Sequence, residues 1–218
     1  MRLQPCSIIL KGWRAYHRKM RCCLIGLLLV TLGCGGGTEQ AGQYDELPIL
    51  STVPDFALTE RSGRTVELSE LAGRVWLANF VFTQCPGPCP LLSQRMSRLQ
   101  ESLQDRPDVR LVSFSVDPEN DTPDVLTHYA KRWRADPQRW LFLTGDKTDL
   151  YHLIKDGFKL AVDDGGQPGS PDPGIITHSL RFVLVDRQGR IRGYYPGGES
   201  YREEKILAAI RRLAGETG

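Results

Sequence analysis

The chain has 218 residues, a length that fits one domain and a tail, and an ordinary 40% of the residues are hydrophobic. The 28 basic and 26 acidic residues give a net charge of +2, but six of the basic residues and none of the acidic ones lie within residues 1–33. Without that segment, 22 basic residues face 26 acidic ones, a net charge of −4. A mildly acidic domain without a basic run excludes the electrostatic footprint of a nucleic-acid-binding protein.

The first 33 residues have the pattern of an export signal. A basic stretch ends at Arg21, and an apolar run follows over residues 22–32. This run of about 11 residues is too short to span a bilayer and is typical of the apolar part of a signal peptide. We therefore predict a lipoprotein-type signal peptide over 1–33 and an extracytoplasmic location, on the periplasmic side of the membrane.

The segment after the apolar run indicates how the protein is anchored. Thr31-Leu32-Gly33-Cys34 resembles a bacterial lipobox, although Thr31 stands where leucine is usual. The resemblance implies that Cys34 is lipidated and anchors the protein to the membrane; an ordinary cleaved signal or an atypical anchor is the alternative. The Gly-rich stretch after Cys34 predicts a flexible tether over 34–52.

Strand and helix patterns alternate through the predicted domain, 53–215. A hairpin turning at Ser62-Gly63 comes first. The elements that follow are, in order, a buried strand at 75–82, a helix at 91–103, a buried strand at 109–116, a helix at 122–133, a short strand at 140–143, a helix at 146–156, strands at 180–185 and 191–195, and a helix at 201–213.

This order of elements predicts the fold. A strand, a cysteine-bearing loop and a helix, followed later by a hairpin and a terminal helix, is the thioredoxin plan. We predict an α/β, thioredoxin-like fold with an N-terminal β-hairpin extension. A long loop rich in Gly, Pro and Asp, at 163–174, is inserted before the last hairpin.

Only two of the six cysteines remain in the domain, and they lie close together. The other four are in the targeting segment or at the lipidation site: Cys6, Cys22, Cys23 and Cys34. Closing so short a loop between Cys85 and Cys89 removes little entropy from the unfolded chain. In an oxidising compartment the pair is therefore more typical of a redox or metal site than of a structural disulfide.

The cysteine loop reads Phe-Thr-Gln-Cys-Pro-Gly-Pro-Cys-Pro over 82–90. Pro90 fits the first turn of a helix, so Cys89 is expected near a helix N-terminus. Free N–H groups and the helix dipole at that position lower the pKa of a thiol. A separation of one helical turn suits both a reversible disulfide and two ligands of one metal ion.

A third donor is needed to complete a metal site, and the chain after the predicted signal peptide offers three histidines. His128 and His152 lie within predicted helices and are expected at the surface. His178 stands where the long loop joins the strand at 180–185, a join that faces the cysteine loop in a thioredoxin plan; an ordinary loop residue is the alternative. Cys85, Cys89 and His178 form a soft three-donor set that copper(I) accepts. A structural zinc ion would need a fourth ligand and a different cysteine spacing.

Four ordered pieces of the domain resemble the SCO/SenC family of copper chaperones. They are the cysteine loop, the segment Ser-Val-Asp-Pro-Glu-Asn-Asp-Thr-Pro at 115–123, Thr-Gly-Asp at 144–146, and His-Ser at 178–179. The resemblance spans 53–213. One departure is Gly87-Pro88, since many members have an acidic residue between the motif cysteines. A smaller one is Thr177, where an acidic or polar residue often precedes the histidine.

The resemblance implies a membrane-tethered metallochaperone rather than an enzyme, with Cys85, Cys89 and His178 as copper ligands. Its partner would be the copper-bearing subunit of a haem–copper (cytochrome c) oxidase. The protein would deliver copper to the dinuclear copper site of that subunit during assembly or keep the thiols of the site reduced. Other periplasmic copper chaperones or thiol reductants are further expected partners.

Three other readings of the cysteine loop compete with a copper chaperone, and one of them, a purely structural module, leaves the three prolines of the loop without a reason. The first is an extracytoplasmic thiol–disulfide oxidoreductase in which Cys85 and Cys89 are nucleophile and resolving thiol, in either order. Against it, thioredoxins separate their cysteines by two residues and place a cis-proline where this chain has Thr177-His178. The second is a peroxiredoxin-like peroxidase, but Thr83 is one residue too close to the cysteine and the required proline is missing.

Overall fold

The structure is a computed structural model that describes residues 47–163 and 177–215. Its strands are β1 (Ser51–Thr52), β2 (Ala57–Glu60), β3 (Thr65–Glu67), β4 (Val75–Val81), β5 (Val109–Ser115), β6 (Trp140–Thr144), β7 (Val162–Asp163), β8 (Thr177–His178), β9 (Arg181–Val185) and β10 (Arg190–Pro196). Its helices are α1 (Cys89–Ser102), α2 (Pro123–Arg132), α3 (Lys147–His152) and α4 (Glu203–Gly215), with a 3-10 helix (Leu68–Leu71) and a π-helix (Leu153–Gly157).

Eight of these strands form one mixed sheet in the order β1-β10-β9-β4-β5-β6-β2-β3. Strands β4, β5 and β6 are parallel, and the remaining neighbours in the sheet pair antiparallel. The β2–β3 hairpin adds to the sheet beyond β6, as the predicted N-terminal extension. The predicted α/β, thioredoxin-like architecture is confirmed. Most of the predicted long loop lies outside the described residues, and its two ends pair as β7 and β8.

Strand β4 is buried on both faces of the sheet, which is why its sequence is an almost continuous apolar run. Its alternate residues enter two separate cores. Val75, Leu77 and Val81 pack in the core formed with α1, α2 and α4. Trp76, Ala78 and Phe80 pack in the core on the opposite face. The helical spacing predicted after the cysteine loop is also confirmed, because Leu92, Met96, Leu99 and Leu103 are all at most 1% exposed.

The end of the predicted tether belongs to the folded domain, which corrects the boundary at residue 52. Strand β1 pairs with β10, and the Leu50 N–H donates to the Ile191 carbonyl at 2.8 Å. The buried Arg192 guanidinium donates through Nε to the Leu47 carbonyl at 2.9 Å and pairs with Asp186. The sequence of this segment gave no sign of a strand, because its ladder partner is more than a hundred residues away.

The helix predicted over 146–156 changes geometry at its end. Asp146 caps α3 by accepting from the Thr148 and Asp149 N–H groups, and the last turn continues as the π-helix. Gly157 lies so close to Pro54 that a Cβ would sit 2.8 Å from the proline Cδ. The close contact with the N-terminal segment explains the glycine at this position. None of the helices in the described ranges is long and apolar enough to cross a membrane.

Candidate metal centre

Three chain segments converge at one edge of the sheet. Strands β4 and β5 run parallel and in register, so the cysteine loop after Val81 and the loop after Ser115 leave from the same edge. Strand β9 runs antiparallel to β4 with Ala78 opposite Val183, so β9 begins at the edge where β4 ends. His178 lies three residues before β9, and its backbone therefore approaches this edge as well.

Cys85 and Cys89 meet at this edge. Cys89 is the first residue of α1 and is fully buried, whereas Cys85 is half-buried. Both are free thiols, and their side chains are hydrogen-bonded to each other. The Cys85 N–H donates to the Phe82 carbonyl at 3.3 Å, which closes the turn between β4 and the first cysteine. The structure thus brings together the two cysteines of the predicted site.

Burial controls the acidity of Cys89. Burial raises the pKa of the Cys89 thiol far above that of a free thiol, and the contact with Cys85 and the charge of Asp121 act in the same direction. A hydrogen bond with the Phe82 backbone opposes them. We expected a lowered pKa at this helix N-terminus; the pKa is raised instead, because burial outweighs the effect of the helix end at which Cys89 lies. The sequence placed the thiol at the helix end but did not show how deeply the neighbouring loops cover it.

A buried carboxylate that we did not predict supports the cysteine loop. Asp121 is fully buried and accepts hydrogen bonds from the Thr83 N–H at 3.1 Å, the Thr83 hydroxyl at 2.7 Å and the Ser115 hydroxyl at 2.7 Å. Burial raises the pKa of Asp121, and these hydrogen bonds counteract the rise. Asp121 lies in the segment 115–123, which carries part of the resemblance to the SCO/SenC family. That motif is the sequence feature from which a role for Asp121 could have been predicted.

A hydroxyl pair lies behind the thiols. Ser93, one turn along α1 from Cys89, shares a buried hydrogen bond of 2.8 Å with the Tyr129 hydroxyl of α2. Burial raises the pKa of Tyr129 to about 12, and the nearby charges of Cys89 and Cys85 contribute to the rise. Tyr129 is therefore protonated at neutral pH and packs α2 behind the dithiol as a neutral group.

The three histidines occupy different places, as far as the structure describes them. His128 is exposed on α2, and its Nδ1 contacts the Asp124 carbonyl at 2.8 Å. His152 is exposed on α3, with Nδ1 3.1 Å from Asp156 Oδ2. Both are surface residues, as predicted. The His178 backbone pairs with Val162 in the β7–β8 ladder, and its side chain lies outside the described part of the structure.

A glycine connects the cysteine helix to the segment that carries His178. The Gly197 N–H donates to the Leu180 carbonyl at 2.7 Å, two residues after His178. A Cβ on Gly197 would lie 2.8 Å from that carbonyl oxygen and would overlap the Leu92 side chain of α1. The backbone at Gly197 is thus wedged between the helix that Cys89 begins and the strand that His178 precedes.

We expect Gly197→Ala to lower the free energy of unfolding by about 1–3 kcal/mol, because the methyl group overpacks this contact. The variant should also bind metal more weakly, since the overlap moves the Leu180 segment away from α1. Chemical denaturation and metal titration measure the two effects. Gly198→Ala is the matched control, because a Cβ there would meet no atom within 4 Å. Equal losses in the two variants would contradict this account.

The donors at this edge fit a soft metal ion. The two contacting thiols become a pair of thiolates when they are deprotonated, and thiolates are the ligands that soft metal ions prefer. The segment that carries His178 approaches the same edge of the sheet. Among the side chains that the structure describes, no three His, Cys, Asp or Glu residues cluster to hold a metal ion.

Sequence and structure comparisons assign the chain to a family. The SCO1/SenC family model matches residues 46–215. The SCO1 protein homolog of Bacillus subtilis is 33% identical over 189 residues, which cover 85% of this chain and 92% of the relative. A SCO1/SenC family lipoprotein from Bacillus anthracis superposes with a TM-score of 0.70 at 32% identity, covering 77% of this chain and 97% of that structure.

Two further solved structures have descriptions that mention a disulfide or copper. BsSco is described as having a disulfide switch and as a member of the Sco family of cytochrome c oxidase assembly proteins. It superposes with a TM-score of 0.67 at 32% identity, covering 79% of this chain and 98% of its own. ScoI of Bradyrhizobium japonicum, solved with copper bound, gives a TM-score of 0.62 at 26% identity and covers 75% and 99%.

The fold and the dithiol define a thioredoxin-like protein with a paired-cysteine site at the head of its first helix. Within that class, the chain belongs to the SCO1/SenC family, because the family model spans the whole described domain.

Proposed function

We propose that this chain binds one copper ion through Cys85, Cys89 and His178. It then delivers the ion to the dinuclear copper site of a haem–copper (cytochrome c) oxidase during assembly. The observation that carries the proposal is the pair of contacting thiols at the head of α1, at the edge that the His178 strand also approaches. Relatives described as copper-bound and as oxidase assembly proteins support copper as the cargo and the oxidase as its destination.

The two cysteines would have different roles in this function. Cys89 is buried, and its thiol must release a proton that burial holds tightly when copper arrives. Cys85 is half-buried beside the exposed residues Pro86, Gly87 and Pro88. A recipient protein would therefore reach the metal from the Cys85 side, and its ligands would replace Cys85 before Cys89.

Metal analysis of the purified, reduced protein tests the proposed function. We expect about one copper ion per chain, because the cysteine pair offers one soft site. Zinc offered under the same conditions should bind more weakly, because it prefers four protein ligands in a closed site. A copper content well below one, with both thiols reduced and free copper in excess, would remove the proposal.

Thiol–disulfide exchange is a second candidate function, favoured by the contact between the thiols and by their unequal burial. Cys85 would attack the disulfide of a partner, and Cys89 would then resolve the mixed disulfide. The dithiol would give up two electrons and two protons, and the partner's disulfide would become two thiols. This reaction does not use His178, so reductase activity that survives His178→Ala while copper binding is lost would separate the two functions.

We also propose that Cys34 is lipidated and anchors the domain outside the cytoplasm, with 1–33 removed as a signal peptide. A relative described as a SCO1/SenC family lipoprotein supports the anchor. The expected partners there are the copper-bearing oxidase subunit, other periplasmic copper chaperones and thiol reductants. Mass spectrometry of the membrane fraction should find a mature chain beginning at lipid-modified Cys34; an unmodified Cys34 would count against the anchor.

A further inference from the structure

The loop after β5 buries a carboxylate directly beneath the cysteine loop. Asp121 is 0% exposed, and no Lys, Arg or His in the described ranges forms an ion pair with it. Burying an unpaired carboxylate is costly unless hydrogen bonds compensate for the lost water. Its three hydrogen bonds, two from Thr83 and one from Ser115, provide that compensation. Two of the three therefore join Asp121 to the cysteine loop.

The hydrogen bonds of Asp121 reach the two cysteines through Phe82 and the peptide groups on either side of it. The Thr83 N–H belongs to the peptide that contains the Phe82 carbonyl, and this carbonyl accepts from the Cys85 N–H. The Phe82 N–H, which belongs to the preceding peptide group, donates to the Cys89 sulfur. A carboxylate that fixes Thr83 therefore fixes the backbone from which both cysteines are held.

Asp121 is itself anchored to the sheet. Ser115, the last residue of β5, donates to Asp121 Oδ2, and the Ser115 hydroxyl oxygen accepts from the Asp117 N–H at 3.0 Å. The Val116 N–H donates to the Val81 carbonyl at 2.9 Å, which ties the ends of β5 and β4 together. The carboxylate thus couples the cysteine loop to a rigid edge of the parallel strands.

We propose that Asp121 is a positioning residue for the dithiol. Its buried carboxylate holds the Phe82–Thr83 peptide so that Cys85 and Cys89 stand ready to share one copper ion. This inference rests on the proposed function for the identity of the metal. The carboxylate also interacts electrostatically with the Cys89 thiol, so it places a fixed negative charge beside the site that receives the cation.

The test compares Asp121→Asn with a matched carboxylate in the same loop. The amide preserves the shape of the side chain, but one of its two atoms must donate, so it cannot accept from both Thr83 and Ser115. We expect copper affinity to fall about 10- to 100-fold, as when an outer hydrogen-bond partner of a metal ligand is lost. The absorption band of the Cu(II)–thiolate complex should also shift, because the geometry of the sulfurs changes.

Asp117→Asn is the control. Asp117 is 8% exposed and accepts from the Asn120 side chain at 3.1 and 2.9 Å, and in the described ranges its carboxylate makes no hydrogen bond to the cysteine loop. We expect its copper affinity and absorption spectrum to match those of the unchanged protein. A wild-type affinity and spectrum in Asp121→Asn, or equal losses in both variants, would overturn the proposal.

A second pair of variants covers the case in which Asp121→Asn does not fold. Thr83→Val removes only the hydroxyl that Asp121 accepts, and Thr83→Ser restores it. We expect weaker copper binding in the valine variant and near wild-type binding in the serine variant. Equal binding by the two would overturn the proposal.

A measurement without copper separates this inference from the proposed function. Absence of copper binding in the unchanged protein would defeat the proposed function alone. The rate at which iodoacetamide alkylates Cys89 should still rise about tenfold in Asp121→Asn and not in Asp117→Asn, because the loop covering the thiol loosens. Unchanged alkylation in Asp121→Asn would overturn the role of Asp121 whether or not copper binds.

Discussion

Oxidation of Cys85 and Cys89 to a disulfide is expected to reduce copper binding from about one ion per chain to near zero. The two thiols already contact each other, so the bond can form without a large movement of the loop. Forming it removes two electrons and two protons, and neither sulfur can then become the thiolate that a soft metal ion requires. Copper analysis before and after oxidation, with peptide mapping of the Cys85–Cys89 link, measures the effect.

Reduction should restore the full copper content, because the disulfide is expected to be reversible. Cys85→Ser is the control, since it cannot form this disulfide; its weaker copper binding should not change further under the same oxidant. Copper bound equally well by the oxidised and reduced forms of the unchanged protein would contradict the assignment of the cysteines as ligands.

Replacing His178 by alanine is expected to lower copper affinity by more than about 100-fold. Removing the outer hydrogen-bond partner of a ligand typically costs 10- to 100-fold in metal affinity, and loss of a ligand itself should cost more. His128→Ala and His152→Ala are matched controls, because both imidazoles are exposed at the surface. A competition titration with a copper(I) chelator measures all three affinities on one scale.

The comparison among the three histidines is sharper than any single variant. Each substitution removes one imidazole and leaves both thiols in place, so a nonspecific contribution from histidine would affect the three variants alike. Equal affinities in His128→Ala, His152→Ala and His178→Ala would remove His178 from the site. A loss in His178→Ala alone, with unchanged thermal unfolding, is the expected result.

Local patterns were sufficient to predict most of the fold. The apolar run at 75–82 became β4 because a strand buried on both faces needs apolar residues at every position. The spacing of Leu92, Met96, Leu99 and Leu103 predicted one buried face of α1. Strand β1 escaped prediction, because two residues of ordinary polarity become a strand only through pairing with the distant β10.

The sequence by itself also determined which residues could form the site. Cysteine spacing, prolines that fix the loop and a helix start at Pro90 specify a thiol pair at the head of a helix, because these features depend on neighbouring residues. The position of His178 before a strand is likewise readable locally. The sequence locates His178 in the chain but does not show what the imidazole binds. The role of His178 as a ligand stays a prediction.

Only the tertiary structure decided the environment of the thiols. It buried Cys89 fully, which raises the pKa of that thiol where the helix end alone would lower it. It also placed Asp121 beneath Thr83, 38 residues earlier in the chain. Burial and electrostatic fields arise from atoms that are distant in sequence and adjacent in space, so no local pattern encodes them. The chemistry of this site therefore depends on the packing of the β4 and β5 loops as much as on its cysteines.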